Sequence, residues 1–144
     1  MASFLYTNYK RAALAGEVAL LTDTIKVMLV SSSYTPNETA HTVLADVSAH
    51  EIAAGSNPGY TAGGITLTSK TVTADTVDRE GVFDAADVSW TSSTITARAA
   101  IIYRQGVSAT PSTLIAYVDF GSNQSSSNGT FQISWNAEGI INWT

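Results

Sequence analysis

The stretch LIAYVDFGSNQSSSNGTFQISW, from Leu114 to Trp135, decides the fold class. Apolar and polar residues alternate over positions 114–120 and again over 130–135, a period typical of strands that bury one face. Asn128-Gly129, between them, is a pair that accepts positive φ and is common in hairpin connections. We therefore predict that the two strands form a hairpin with a shared buried side. The polar residues between them are its turn or, alternatively, a tip that also contacts a partner.

The same alternation assigns side chains to faces. Phe131, Ile133 and Trp135 fall together on the side predicted to be buried, so Trp135 is expected in the core. Ser126 falls in the polar run and is expected to contribute almost nothing to stability.

Strand patterns dominate the chain after Gly63-Gly64. Runs rich in Val, Ile, Thr, Tyr, Phe and Trp alternate with short polar connectors, as in antiparallel sandwiches and barrels. A further strand is expected near residues 25–30, and short helical turns near residues 43–52. Connectors long enough for crossover helices are absent, which argues against a parallel sheet.

Residues 4–21 are the one segment with a convincing helical pattern, although Gly16 weakens its middle. We predict an all-β fold, an antiparallel β-sandwich of jelly-roll type with one N-terminal α-helix. Residues 1–22 form the helix or arm, and residues 23–144 form the sandwich domain.

Composition narrows the function classes. The 144 residues suit one domain, and the net charge of -5 with scattered basic residues argues against nucleic-acid binding. The chain has no cysteine, which excludes disulfides and thiolate ligands. Its first residues lack the uninterrupted apolar run of a secretory signal or a membrane span, so we expect synthesis in the cytoplasm and no membrane association.

Two groups of side chains have the residue types of a chemical site. His41, Asp46, His50 and Glu51 have ligand-type side chains but not the spacing of a zinc site, and are expected to be surface residues. A hydrolase that uses His50 with Asp46 or Glu51 is retained as a minor hypothesis.

The second group is acidic and does not follow the ligand order of a calcium loop, so it is expected to keep a hairpin edge hydrated. Its members are Asp75, Asp78, Glu80, Asp84 and Asp87. We accordingly predict no catalytic residues, no cofactor and no metal.

Aromatic residues that alternate with other apolar residues are expected in the core or at an interface between subunits. The residues selected as candidate contacts with a partner or a second copy are Leu5, Tyr9, Trp90, Trp143, Asn123 and Asn128.

Several phrases together resemble a group of small virion proteins of tailed bacteriophages. They are TIKVMLVSSSYTPN (24–37), DVSAHEI (46–52), GYTAGGITLTSKTVT (59–73), VFDAADVSWTSSTITARAAIIY (82–103) and residues 114–140. The resemblance runs in the same order from about residue 23 to the C-terminus. It implies a structural component of the particle with no catalytic residues.

The resemblance therefore leads us to expect a capsid decoration or cement protein on the capsid surface of the virion. Its expected partners are the major capsid protein and further copies of itself, as a dimer or trimer. The alternative is a tail or head-fibre module that binds host-surface glycans through Trp90, Trp143 or the tip from Ser122 to Asn128.

Overall fold

Antiparallel strands make up most of the protein, in a computed structural model that describes residues 3–144. A five-stranded sheet has the order β1 (Phe4–Leu5), β8 (Leu114–Ser125), β7 (Thr96–Arg104), β2 (Ile25–Val30) and β3 (Ile65–Thr66). A three-stranded sheet has the order β10 (Ile141–Trp143), β5 (Glu80–Asp84) and β4 (Thr71–Asp75). A two-stranded ribbon pairs β6 (Val88–Ser93) with β9 (Gly129–Ile133). The predicted all-β, antiparallel class is confirmed, and the jelly-roll form stays a prediction.

One apolar core is shared by these sheets. The central strands β2 and β7 are almost continuously apolar, and both are buried on their two faces. Strand β8 is buried on both faces over residues 114–117, because helix α1 (Thr7–Leu14) also packs against it. Tyr9 and Ala12 are the buried residues of that helix, so the helix belongs to the same core.

The helix is shorter than the predicted segment 4–21. Phe4 and Leu5 form strand β1 instead, in register with Tyr117 and Ala116 of β8. At the other end the helix stops at Leu14, and Gly16 follows at a φ of 73°, a left-handed conformation that favours glycine. Three single turns of 3-10 helix, at Leu44–Asp46, Ser48–His50 and Ala54–Ser56, occupy the region where short helical turns were expected.

The predicted hairpin between residues 114–120 and 130–135 is wrong. Strand β8 pairs with β7 and β1, whereas β9 pairs with β6. Residues 121–125, expected in the turn, extend β8. The alternation correctly marked two strands but could not choose their partners, because periodicity specifies the buried face and not the neighbour.

Two paired strands instead bend together. Strand β6 leads into β7 through Thr94-Ile95, and β8 leads into β9 through residues 126–128. At the bend the Ser126 amide donates to the Ile95 carbonyl at 2.9 Å, and the Ile95 amide donates to Ser126 Oγ at 3.1 Å. Ser126 Oγ also lies 2.8 Å from the Oγ of Ser93, which is fully buried. Ser126 therefore has a structural role, contrary to the expectation from sequence.

Trp135 lies at the margin of the core and not within it. The ring is only partly buried, and its Nε1 donates to the Ala86 carbonyl at 3.0 Å. Its backbone amide donates to Asp87 Oδ1 at 2.9 Å. The predicted core position of Trp135 was wrong because residue 135 lies beyond the end of β9, where the alternation no longer reports a face.

One cross-strand ion pair joins β7 to β8. Arg98 Nη1 contacts Asp119 Oδ1, and the two side chains are 24% and 10% exposed. The Arg98 guanidinium and then the Gly121 amide hold the pKa of Asp119 down at about 2. A carboxylate whose pKa is depressed in the folded state stabilises that state at pH values above its ordinary pKa.

The bend is testable by substituting its central hydroxyl. Ser126→Ala removes the acceptor of the Ile95 amide, and leaving such a group without a partner costs about 1–3 kcal/mol. We expect this loss in the free energy of unfolding measured with urea. Ser127→Ala is the matched control, because Ser127 is exposed and adjacent. Equal stability of the two variants would contradict the assigned role of Ser126.

The Arg98–Asp119 pair predicts a specific acid dependence. Its contribution should be fully present above pH ~4, the ordinary pKa of Asp, and should disappear as the pH falls to about 2. Asp119→Asn should therefore lower stability at neutral pH and flatten the loss of stability across this window. Urea unfolding at a series of pH values measures both effects, with Asp78→Asn, an exposed position, as the control. If the free energy of unfolding fell with pH in the same way for wild type and Asp119→Asn, the assigned role of the ion pair would be refuted.

Candidate functional site

An open groove of about 800 Å³ is lined by residues of four strands. Its walls come from β1, the outer side of β8, β9 with the residues that follow it, and the segment that enters β10. These elements belong to all three sheets, so the groove lies where the sheets adjoin each other.

Unpaired strand edges border this groove. Among residues 3–144, β9 pairs only with β6, β10 only with β5, and β1 only with β8. A strand with a single neighbour presents its other row of backbone N–H and C=O groups outward. The groove can therefore offer main-chain hydrogen bonds to a ligand as well as side-chain contacts.

The lining of the groove is uncharged. The chain contains 19 acidic and basic residues, seven Lys or Arg and twelve Asp or Glu, yet none stands among the described residues that line the groove. Phe131 and Ile133 supply buried apolar surface, while Gln132 and Asn136 are exposed amides. This combination suits a neutral ligand with both apolar and hydrogen-bonding groups, such as an extended peptide or a neutral sugar.

Sequence reasoning missed the groove because its walls are distant in the chain. Ser3–Leu5 face residues from the last third of the sequence. A usable signal was nevertheless present: after Arg104 the chain has only two charged residues, Asp119 and Glu138. A segment this poor in charge predicts a largely neutral surface in the folded chain.

The six predicted contact residues differ in burial: two are partly buried, two are exposed and two are buried. Leu5 is partly buried and lines the groove, and Asn123 and Asn128 are exposed. Trp143 is partly buried, with its ring centroid 6.0 Å from that of Tyr9.

Tyr9 and Trp90, two further predicted contact residues, lie in the core. They are only 2% and 5% exposed. The Trp90 ring packs between those of Tyr60 and Phe131, with centroids 5.9 and 6.0 Å away. Both side chains fill the core of the single chain, and their contact with a partner stays a prediction.

The two histidines pack against the same tyrosine. His41 and His50 each place a ring centroid 5.5 Å from that of Tyr34. His41 Nδ1 lies 2.8 Å from the Tyr34 hydroxyl, and His50 Nδ1 lies 3.0 Å from Ser33 Oγ. The sequence did not predict this contact between a serine and a histidine.

The two carboxylates considered with His50 bind other groups. Asp46 accepts hydrogen bonds from the amides of Thr42 and Val43, at 2.8 and 3.0 Å, and these bonds lower its pKa. Glu51 Oε1 accepts from the Tyr60 hydroxyl and the Gly63 amide, both at 2.6 Å. Neither carboxylate hydrogen-bonds His50 in the part of the chain that the structure describes. The Ser33–His50 pair thus lacks the orienting acid that the hydrolase hypothesis required.

The Glu51 contacts anchor the loop that contains the phrase GYTAGG. The Tyr103 hydroxyl donates to the Gly63 carbonyl at 2.6 Å, and burial raises the Tyr103 pKa to about 12. Gly64 has a φ of 81°, and a Cβ there would lie 1.9 Å from the Val27 carbonyl oxygen. This phrase therefore serves a tight turn against β2, a structural role.

The acidic group is only partly brought together. Carboxylate oxygens of Asp75, Asp78 and Glu138 lie within 4.8 Å of one another. Glu80 accepts instead from Asn142 Nδ2 at 2.5 Å, and Asp87 accepts from the Trp135 amide. The trio is largely exposed, as expected for charges that keep an edge hydrated.

No helix within residues 3–144 has the length and apolar character needed to cross a membrane. In comparisons with known proteins, no family model, no curated protein and no solved structure matches this chain.

Proposed function

We propose that this chain is a non-enzymatic structural protein of a bacteriophage virion, most specifically a capsid decoration or cement protein. In this role it binds the major capsid protein on the capsid surface and stabilises the head. The observation that carries the proposal is the uncharged groove bordered by unpaired strand edges. Such edges are surfaces for association between polypeptides.

The resemblance to small virion proteins of tailed phages supports the same role. A cement protein must add buried area between capsid subunits and needs no chemical step. Many modest contacts repeated over a shell resist internal pressure together, because each contact raises the effective concentration of the next. A small β domain with adhesive strand edges meets this requirement.

Copy number in purified particles tests the proposal. A decoration protein should be present in proportion to the major capsid protein, at one copy for each subunit or for each capsomer. Quantitative gel analysis of virions, with the major capsid band as internal standard, gives the ratio. Immunogold label should be distributed over the head. A handful of copies per particle, or label confined to the tail, would contradict the proposal.

A second candidate function is glycan binding by a tail or head-fibre module. The groove is neutral, and partly buried Trp135 lies there beside the exposed amides of Gln132 and Asn136. Aromatic rings stack on the apolar faces of sugars, and amides bind their hydroxyls. Trp90, a glycan contact expected from the sequence, is buried in the core of this structure.

An array of neutral oligosaccharides tests this alternative. The wild-type protein should bind to the array, and Trp135→Ala should abolish the signal. Leu21→Ala is the control, because Leu21 is 53% exposed and does not line the groove, and it should leave the signal unchanged. Absence of any signal from the folded wild-type protein would eliminate it.

A further inference from the structure

Strand β4 is exposed on both of its faces. Thr71, Val72, Thr73 and Ala74 are all exposed, and Val72 is 49% exposed. Within the described residues β4 pairs only with β5, so its other edge has no neighbour.

Proteins usually protect such an edge with charges, proline, a bulge or a covering segment. The first four residues of β4, Thr71–Ala74, contain no charge and no proline, and the pairing of β4 with β5 has no register shift. Asp75, the last residue of the strand, is its one charged residue. Val77, in the turn after β4, is 85% exposed. Charge protects only the end of this strand, at Asp75, and leaves Thr71–Ala74 open to pairing.

The three-stranded sheet connects this edge to the groove. Its order is β10-β5-β4, so β4 is one edge and β10 is the other. The outer edge of β10 borders the uncharged groove, which is lined by residues 139–142. Among the described residues, this sheet therefore has two unpaired edges on opposite sides, β10 without a charged residue and β4 with Asp75 alone.

We propose that β4 of one copy inserts into the groove of a second copy and pairs with its β10. Each contact then extends the three-stranded sheet from one copy into the next. The match is supported by charge, because neither the groove nor Thr71–Ala74 contains an ionised group that would have to be desolvated.

Because the two surfaces differ, the association is head-to-tail. A head-to-tail contact forms a ring where the rotation closes and a filament where it does not. The proposal goes beyond the virion role, since it concerns contact between copies of this chain and holds whether or not they bind a capsid.

Engineered cysteines test the pairing directly, because the native chain has no cysteine. Thr73→Cys places a thiol on β4, and Asn142→Cys places one on β10, both at exposed positions. A mixture of the two variants, treated with a short bismaleimide, should give a cross-linked dimer that contains one chain of each. Val107→Cys is the control variant, because Val107 is 100% exposed on the loop after β7. A mixture in which it replaces either of the two variants should give no cross-linked dimer.

The outcomes distinguish the alternatives. Light scattering of the wild-type protein should show a mass above one chain, and Val72→Lys with Thr73→Lys should reduce it to one chain with an unchanged circular dichroism spectrum. Val107→Lys should leave the mass unchanged. A monomeric wild type at all concentrations would overturn the proposal. Cross-linking of Thr73→Cys to itself would also overturn it, because that result requires β4 to pair with β4.

Discussion

The bend shared by two paired strands is the constraint on which the rest of the structure depends. Strands β6 and β9 continue into β7 and β8, and hydrogen bonds among Ser93, Ile95 and Ser126 hold the change of direction. The ladder between β6 and β9 ends at Ser93–Gly129, the ladder between β7 and β8 begins at Thr96–Ser125, and the hydrogen bonds of Ser126 join the two. Strand β1 covers the outer edge of β8 only at Ala116 and Tyr117, and residues of β8 and β9 beyond that pairing line the groove.

Serine hydroxyl groups, and not charged side chains, satisfy the backbone groups at the bend. Ser93 is fully buried and its Oγ donates to the carbonyl of Trp90, 2.8 Å away. Short hydroxyl side chains satisfy backbone groups at a bend without adding an ion that must remain hydrated. The chain has few charged residues, and none of the described residues that line the groove is charged. The groove therefore favours uncharged ligands.

The sequence was a good guide to fold class and a poor guide to pairing. Alternation identified both strands between Leu114 and Trp135, but residues 121–125 continued a strand where polar composition indicated a turn. Backbone pairing tolerates Ser, Asn and Gln at an exposed edge, so composition alone could not mark the boundary. The groove was not predictable because β1, β9 and β10 meet only after folding. Burial of Tyr9 and Trp90 likewise depends on packing between distant segments.

The central claim is that unpaired strand edges are the adhesive surfaces of this protein. Hydrogen–deuterium exchange at increasing protein concentration tests it most directly, since amides at an open edge exchange rapidly until a neighbouring strand covers them. The account predicts that peptides covering β4 and β10 gain protection with concentration, while the loop 105–113 stays unchanged. The account would be contradicted if the exchange protection of β4 and β10 did not change with protein concentration. The contradicting result is the same with and without capsid particles.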